Sequence, residues 1–107
     1  MISTHILDTS IGNPAAGVIV SLEQLENNVW KETVSGETNA DGRFVFNNKA
    51  EAGSYRINFH TEEYFKKLGT ECFFLQTPVA FKITNIDRKY HVPLLVNPYG
   101  YSTYRGS

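Results

Sequence analysis

Three histidines, at positions 5, 60 and 91, and a single cysteine, Cys72, are the side chains of this 107-residue chain that titrate within reach of neutral pH. Histidine changes charge there with a small environmental push, which suits acid–base work. Arginine adds a permanently charged, planar fork of donors that fits oxyanions, and Arg43 directly follows the turn-forming run Asn39-Ala40-Asp41-Gly42. The C-terminus carries a further set, Tyr99-Gly100-Tyr101-Ser102-Thr103-Tyr104-Arg105-Gly106-Ser107, rich in hydroxyls to the last residue. Tails usually fray. Three tyrosines in six residues point instead to a tail that docks, because tyrosine offers apolar area and a hydroxyl together. Each group also has a plainer use. A lone strand histidine is usually a surface or hydrogen-bonding residue, Arg43 could be a solvated residue at a strand start, and the tail could be an ordinary terminal strand. His60 reads as structural. Cys72 reads as a small, semi-buried side chain, since no Cys–His–Asn arrangement surrounds it.

The elements that must position these groups are short alternating runs broken by turn residues, the pattern of an all-β sandwich. Thr4–Leu7 makes a first strand leading into the turn-rich Asp8–Pro14. Val18, Val20 and Leu22 alternate with Ile19 and Ser21. Glu26-Asn27-Asn28 turns the chain into a strand over Val29–Val34. Phe44 and Phe46 share a face after Gly42, and Tyr55, Ile57 and Phe59 share another. Val79, Phe81 and Ile83 alternate, as do Tyr90, Val92 and Leu94. One stretch breaks the rhythm: residues 61–69 predict a short helix, with Thr61 as cap, Glu62 and Glu63 in the first turn, Lys66 and Lys67 in the last, and Gly69 as stop. Glu62–Lys66 and Glu63–Lys67 have the favourable i,i+4 spacing, and Tyr64 and Leu68 share a face that can pack on the sheet. Because successive strand side chains point to opposite faces, core-facing Thr4 and Ile6, Phe44 and Phe46, and Tyr90, Val92 and Leu94 leave His5, Arg43 and His91 on off-core faces. Pro93 and Leu95 accompany His91, so that face is expected to be covered, by a partner subunit or otherwise.

The length fits one domain over residues 1–107. With 41% hydrophobic and 20% charged residues the composition is that of a folded chain. A formal net charge of −1, with scattered Lys and Arg, lacks the footprint of a nucleic-acid binder. One cysteine can form neither an internal disulfide nor a cysteine-based zinc site, and it fits a reducing compartment. No apolar stretch approaches the length that crosses a bilayer. The opening Met1–His5 lacks the features of a secretory signal. A cytoplasmic location is expected, or a periplasmic one if a leader was removed.

At this point the residues carry a recognisable pattern. Thr4-His5-Ile6-Leu7-Asp8-Thr9 with Gly12-Asn13-Pro14-Ala15 resembles the first signature of the transthyretin-like 5-hydroxyisourate hydrolases. Thr38-Asn39-Ala40-Asp41-Gly42-Arg43 resembles their internal arginine-bearing turn. His91-Val92-Pro93-Leu94-Leu95, then Asn97-Pro98 and Tyr101 to Ser107, resembles the second signature, and the terminal Tyr-Arg-Gly-Ser is its most specific element because it separates the hydrolases from the hormone carrier transthyretin. The resemblance spans essentially the whole chain. Two departures stand out: Gly69-Thr70-Glu71-Cys72-Phe73-Phe74-Leu75 replaces a more polar, Tyr-Pro-like stretch, and Asn97 stands where serine is common.

The resemblance implies a transthyretin-like sandwich of about eight strands in two four-stranded sheets. It also implies a homotetramer with active sites at the dimer–dimer interface, a small-molecule substrate, 5-hydroxyisourate, and neither cofactor nor metal. It implies hydrolysis of a lactam bond in that substrate. The expected catalytic set is His5, Arg43, His91 and Ser107, with His5, Arg43 and Tyr104 binding substrate. His91 is assigned as base and His5 as a hydrogen-bonding and proton-passing partner, although the two roles could be exchanged. Arg43 is assigned to the ring oxygens and the developing negative charge, and Tyr104 and Ser107 to hydroxyl contacts. The terminal carboxylate would orient a histidine or the arginine. Two histidines beside an arginine should resist protonation, which keeps a neutral base near pH 7. The competing readings are a transthyretin-type carrier of aromatic ligands, whose channel has no use for two histidines and an arginine, and a structural β-sandwich module. No nucleic-acid or membrane partner is expected.

Overall fold

The computed structural model describes residues 1–49 and 51–107. Its elements are β1 (Ile2–Asp8), β2 (Asn13–Pro14), β3 (Ile19–Glu26), β4 (Val29–Glu37), β5 (Arg43–Phe46), β6 (Gly53–Phe59), α1 (Thr61–Lys67), β7 (Thr77–Ile83), β8 (Tyr90–Asn97) and β9 (Gly100–Thr103). They form two sheets. One runs β2-β1-β8-β9, with β5 also paired to β1; the other runs β4-β3-β6-β7. The all-β sandwich with one short helix read from the sequence is therefore the fold. Among the described residues the strand total is nine and the first sheet has five members, because Asn13–Pro14 folds back onto Leu7 and Asp8. A two-residue pairing is too short to show as alternation.

Alternation is strict where it matters. Along β1, Ile2, Thr4, Ile6 and Asp8 are buried while Ser3, His5 and Leu7 are only half-buried. The same period puts Tyr55, Ile57 and Phe59 of β6 inside, and with Leu22, Phe46 and Leu94 they fill the space between the sheets. The hairpin joining β3 to β4 turns at Asn27 and Asn28, both at positive φ (51° and 63°). Asparagine tolerates that region best after glycine, and such a turn matches the twist of the strands it joins.

The helix departs from expectation in three respects. Its cap is His60, without a side-chain cap bond. Thr61 already lies inside the helix, and its buried hydroxyl sits 3.2 Å from that of Thr77 at the start of β7. The buried stripe is Thr61, Tyr64 and Phe65, an i, i+3, i+4 set, and Leu68 is left exposed at the C-cap. Among the described residues the ion pairs are Lys31–Glu26, Lys49–Glu51 and Arg56–Glu23, so neither Glu62–Lys66 nor Glu63–Lys67 closes. Gly69, at φ +71°, does end the helix.

A second buried polar contact ties α1 to β1. The Tyr64 hydroxyl donates to Asp8 Oδ2 at 2.8 Å, while Asp8 Oδ1 accepts the Ser10 amide at 2.9 Å. Burial and the adjacent Asp8 carboxylate push the Tyr64 phenol well above its ordinary range. Asp8 is fully buried, and a buried acceptor that loses its donor costs about 1–3 kcal/mol. Tyr64→Phe should therefore lower unfolding free energy by about 1–3 kcal/mol with an unchanged urea m-value. Equal midpoints for the two proteins in urea melts would show that the contact contributes nothing.

Candidate active site

β1 gathers the candidate residues. Its His5 pairs with Arg43 on β5, and its Ser3 pairs with His91 on β8. His91 in turn bridges to Gly106 of the tail. Directly paired residues project to the same face of a sheet, and Ser3 and His5 share a face about 7 Å apart along the strand. Arg43, His5, Ser3, His91 and the end of the tail thus occupy neighbouring positions on the outer face of the five-stranded sheet.

Local geometry aims each of them. Asn39 Oδ1 accepts the amides of Asp41 (2.9 Å) and Arg43 (3.0 Å), closing the turn before β5. Gly42 takes φ +73°, and a Cβ there would stand 2.5 Å from the Ile6 carbonyl oxygen. The turn can hug β1, and so set Arg43 opposite His5, only with glycine at that position. The tail is fastened at three points. Thr103 Oγ1 donates to the Pro93 carbonyl at 2.7 Å, the Gly106 amide donates to the His91 carbonyl at 2.8 Å, and the Arg105 guanidinium lies 4.6 Å from the Tyr90 ring centre. The off-core face of β8 is therefore covered by the chain's own last residues, and Pro93 is buried beneath them.

A cleft of about 260 Å³ opens on this face, lined by Ser3, Arg43, Phe44, Lys89, His91 and Ser107 among others. Three of the residues singled out from the sequence, Arg43, His91 and Ser107, share it. His5 lies beside it in the sheet, half-buried. Tyr104 lies apart, in an adjoining hollow of about 140 Å³ with Phe81, Tyr90, Val92 and Arg105, and His91 is the wall the two spaces share. The sequence reading passed over Ser3 and Lys89. Ser3 carried a signal, because it precedes His5 by two and so shares its face. Lys89 carried none, since it lies just outside a strand. His60 is remote from the cleft in the fold, with Nε2 3.2 Å from the Ser21 hydroxyl. Cys72 is half-buried, and burial followed by the charge of Glu62 pushes its thiol up. Among the described residues no group of three or more His, Cys, Asp or Glu side chains is placed to hold a metal ion.

The cleft's electrostatics favour a neutral imidazole. Burial first, then the charges of His5 and Arg43, hold His91 below the ordinary histidine range, against a smaller opposing effect of the Ser3 backbone carbonyl. At pH 7 the ring is thus mostly unprotonated. Beside it on the cleft wall stand two exposed cations, Arg43 and Lys89. Such a site can remove a proton from a bound water and stabilise negative charge on an oxygen.

A sandwich of these two sheets with one short helix is the transthyretin-like architecture. The chain belongs to the HIUase/Transthyretin family, whose model matches residues 2–106. It is 47% identical over 110 residues to the 5-hydroxyisourate hydrolase of Salmonella typhimurium, covering 100% of this chain and 81% of that protein. It is 41% identical to the 5-hydroxyisourate hydrolase of Mus musculus, covering 99% and 94%. Among solved structures, the Klebsiella pneumoniae 5-hydroxyisourate hydrolase superposes with a TM-score of 0.87 at 39% identity, covering 99% of this chain and 98% of that one. Sea bream transthyretin, in complex with thyroxine, superposes at 0.92 with 28% identity, covering 98% and 93%. No helix is long and apolar enough to cross a membrane among the described residues.

Two measurements check this geometry. An NMR titration should give His91 a midpoint below 6.5, the ordinary histidine value; a midpoint above it would contradict the electrostatics. In Gly106→Ala, the new Cβ would lie 2.5 Å from His91 Cδ2 and 3.0 Å from Pro93 Cγ, so the ring or the tail must move. The His91 ring resonances should shift and those of His60 should stay in place.

Proposed function

We propose that this chain, acting as one domain over residues 1–107, hydrolyses 5-hydroxyisourate to 2-oxo-4-hydroxy-4-carboxy-5-ureidoimidazoline. The observation that carries the reading is the meeting of Arg43, His91 and Ser107 in one cleft of a chain 47% identical to a hydrolase of that name. His91, kept neutral, takes a proton from water. The resulting hydroxide attacks the lactam carbonyl, a C–O bond forms, and the electron pair moves onto the carbonyl oxygen. Arg43 binds that oxygen through its fork of donors. Collapse of the tetrahedral intermediate breaks the C–N bond, and the ring nitrogen takes a proton that His5 passes on from His91. The Ser107 hydroxyl orients the substrate within the cleft. Tyr104 reaches the substrate only from the adjoining hollow, so its contribution is a contact at the cleft's rim. The reaction as written moves only protons and one acyl group, all of them handled by these side chains and water.

The active assembly in this reading is a homotetramer with the clefts at the dimer–dimer interface. Two observations favour it. The cleft lies on an outer sheet face beside exposed Met1 and Val45, and Phe73, Leu75 and Tyr101 stand exposed near β7 and β9, one edge strand of each sheet. Exposed large apolar side chains gathered in this way suit an interaction site. The cytoplasm is the compartment that fits the unpaired Cys72.

The carrier alternative cannot be judged on backbone shape, since a transthyretin superposes as well as a hydrolase does. The cleft residues distinguish the two, because a carrier's apolar ligand gains nothing from a charged wall. The direct test is ultraviolet decay of 5-hydroxyisourate made in place from urate. The wild-type chain should accelerate it. His91→Ala should lose about 10²–10⁴-fold in kcat, and Arg43→Ala a comparable factor. Near-full activity in both variants would refute the assignment, and light scattering should return the mass of four chains.

A further inference from the structure

Ser3 has no part in the reaction set out above, yet it is the side chain in closest polar contact with the His91 ring. Its Oγ lies 2.9 Å from His91 Nδ1. On the ring's other flank, Gly106 approaches so closely that a Cβ there would stand 2.5 Å from Cδ2. The imidazole is thus held by two neighbours, a hydroxyl at Nδ1 and a bare backbone at Cδ2, and the Cε1–Nε2 edge is the part that neither of them touches. A ring flip would put Cδ2 against the serine hydroxyl and lose the only polar contact that Nδ1 makes among the described residues.

We infer that Ser3 is a positioning residue: its hydroxyl accepts the Nδ1 hydrogen of His91 and so fixes the tautomer whose Nε2 lone pair faces the cleft. A base must present a lone pair where the water sits, and which nitrogen is free depends on what the other one bonds. The Ser3 backbone also acts in favour of the protonated ring, against the larger lowering by burial. Serine differs in one respect from a carboxylate in this position. It fixes the tautomer without adding negative charge, so it leaves the ring neutral at pH 7. The charged and titratable groups around His91 are the Met1 amine ahead of β1, His5 on β1, Arg43 on β5, Lys82 on β7, Lys89 ahead of β8, Tyr90 on β8, and Tyr104, Arg105 and Ser107 with its terminal carboxylate in the tail. The charged side chains among them are cationic, the Ser107 carboxylate is the one anion of the set, and a neutral acceptor at Nδ1 adds no second one. The catalytic meaning of this contact rests on the hydrolase reading; its geometry does not.

The test pairs a measurement on the free protein with one on the reaction. Nitrogen-15 NMR of the His91 ring should place the hydrogen on Nδ1 in the wild type. Ser3→Ala should mix the tautomers, and Ser3→Thr, which keeps the hydroxyl, should restore the wild-type pattern. Removing an acceptor for Nδ1–H destabilises the protonated ring as well, so Ser3→Ala should move the acidic limb of kcat to lower pH. Its plateau should fall about fivefold, the equivalent of one neutral hydrogen bond, with KM little changed. A wild-type ring with its hydrogen on Nε2 would overturn the inference. So would a Ser3→Ala pH profile that differs from wild type only in height. If the wild type failed to hydrolyse 5-hydroxyisourate, the functional reading would fall, while the NMR spectra would still decide the role of Ser3.

Discussion

Everything on the candidate site depends on the register of β1. One edge of this strand carries β5 and β2 in antiparallel pairing, and the other carries β8 in parallel. Because side chains alternate strictly, a slip of one residue would send His5 and Ser3 into the core and Thr4 and Ile6 outward. The slip is blocked from both sides. Ile2 and Ile6 are fully buried, Thr4 Oγ1 donates to the Val92 carbonyl at 2.7 Å, and Asp8 is committed to Tyr64 and Ser10. A core strand thus doubles as the ruler against which Arg43 and His91 are set.

The same economy appears in the glycines. Gly42 and Gly106 are two of the places where backbone comes within a Cβ's reach of the site's scaffold. At the first, a tight turn brings β5 against β1. At the second, the tail lies flat on the His91 ring. Both are positions where a side chain would occupy space that the candidate site's groups or their supports already fill.

Much of this was legible before any coordinates. Alternation placed His5, Arg43 and His91 off the core because in each strand the buried partners are unmistakable: Ile6, Phe46 and Leu94. It could not say that three strands would lie side by side, which is a matter of topology; the resemblance to a family implied a shared site, and the sheet order sets β5, β1 and β8 next to one another. Propensity misread the helix start, since Thr61 is a good cap by type but is drawn inside by the buried Thr77 hydroxyl. Leu68 was assigned to the packed face on spacing alone, whereas the chain leaves the helix there. The departure at Phe73 to Leu75 does alter the local surface, since Phe73 and Leu75 stand exposed, with Phe73 tied to the Pro98 carbonyl at 2.8 Å. Asn97, the other departure, receives the Tyr99 amide at 2.8 Å and so shapes the turn into β9. Backbone shape alone would not have separated hydrolase from carrier; a handful of side chains on one face had to do so.

The parallel pairing of β1 with β8 has a consequence for how the chain is made. Its partners are 88 positions apart in sequence, so one side of β1 stays unsatisfied while the residues between the two strands are being synthesised. At ordinary translation rates that is on the order of ten seconds. β2 and β5 can zip onto the other side early, but the sandwich cannot close until the ribosome has released β8. During that interval the nascent chain presents an open, β-prone edge, the condition under which newly made proteins most need a chaperone.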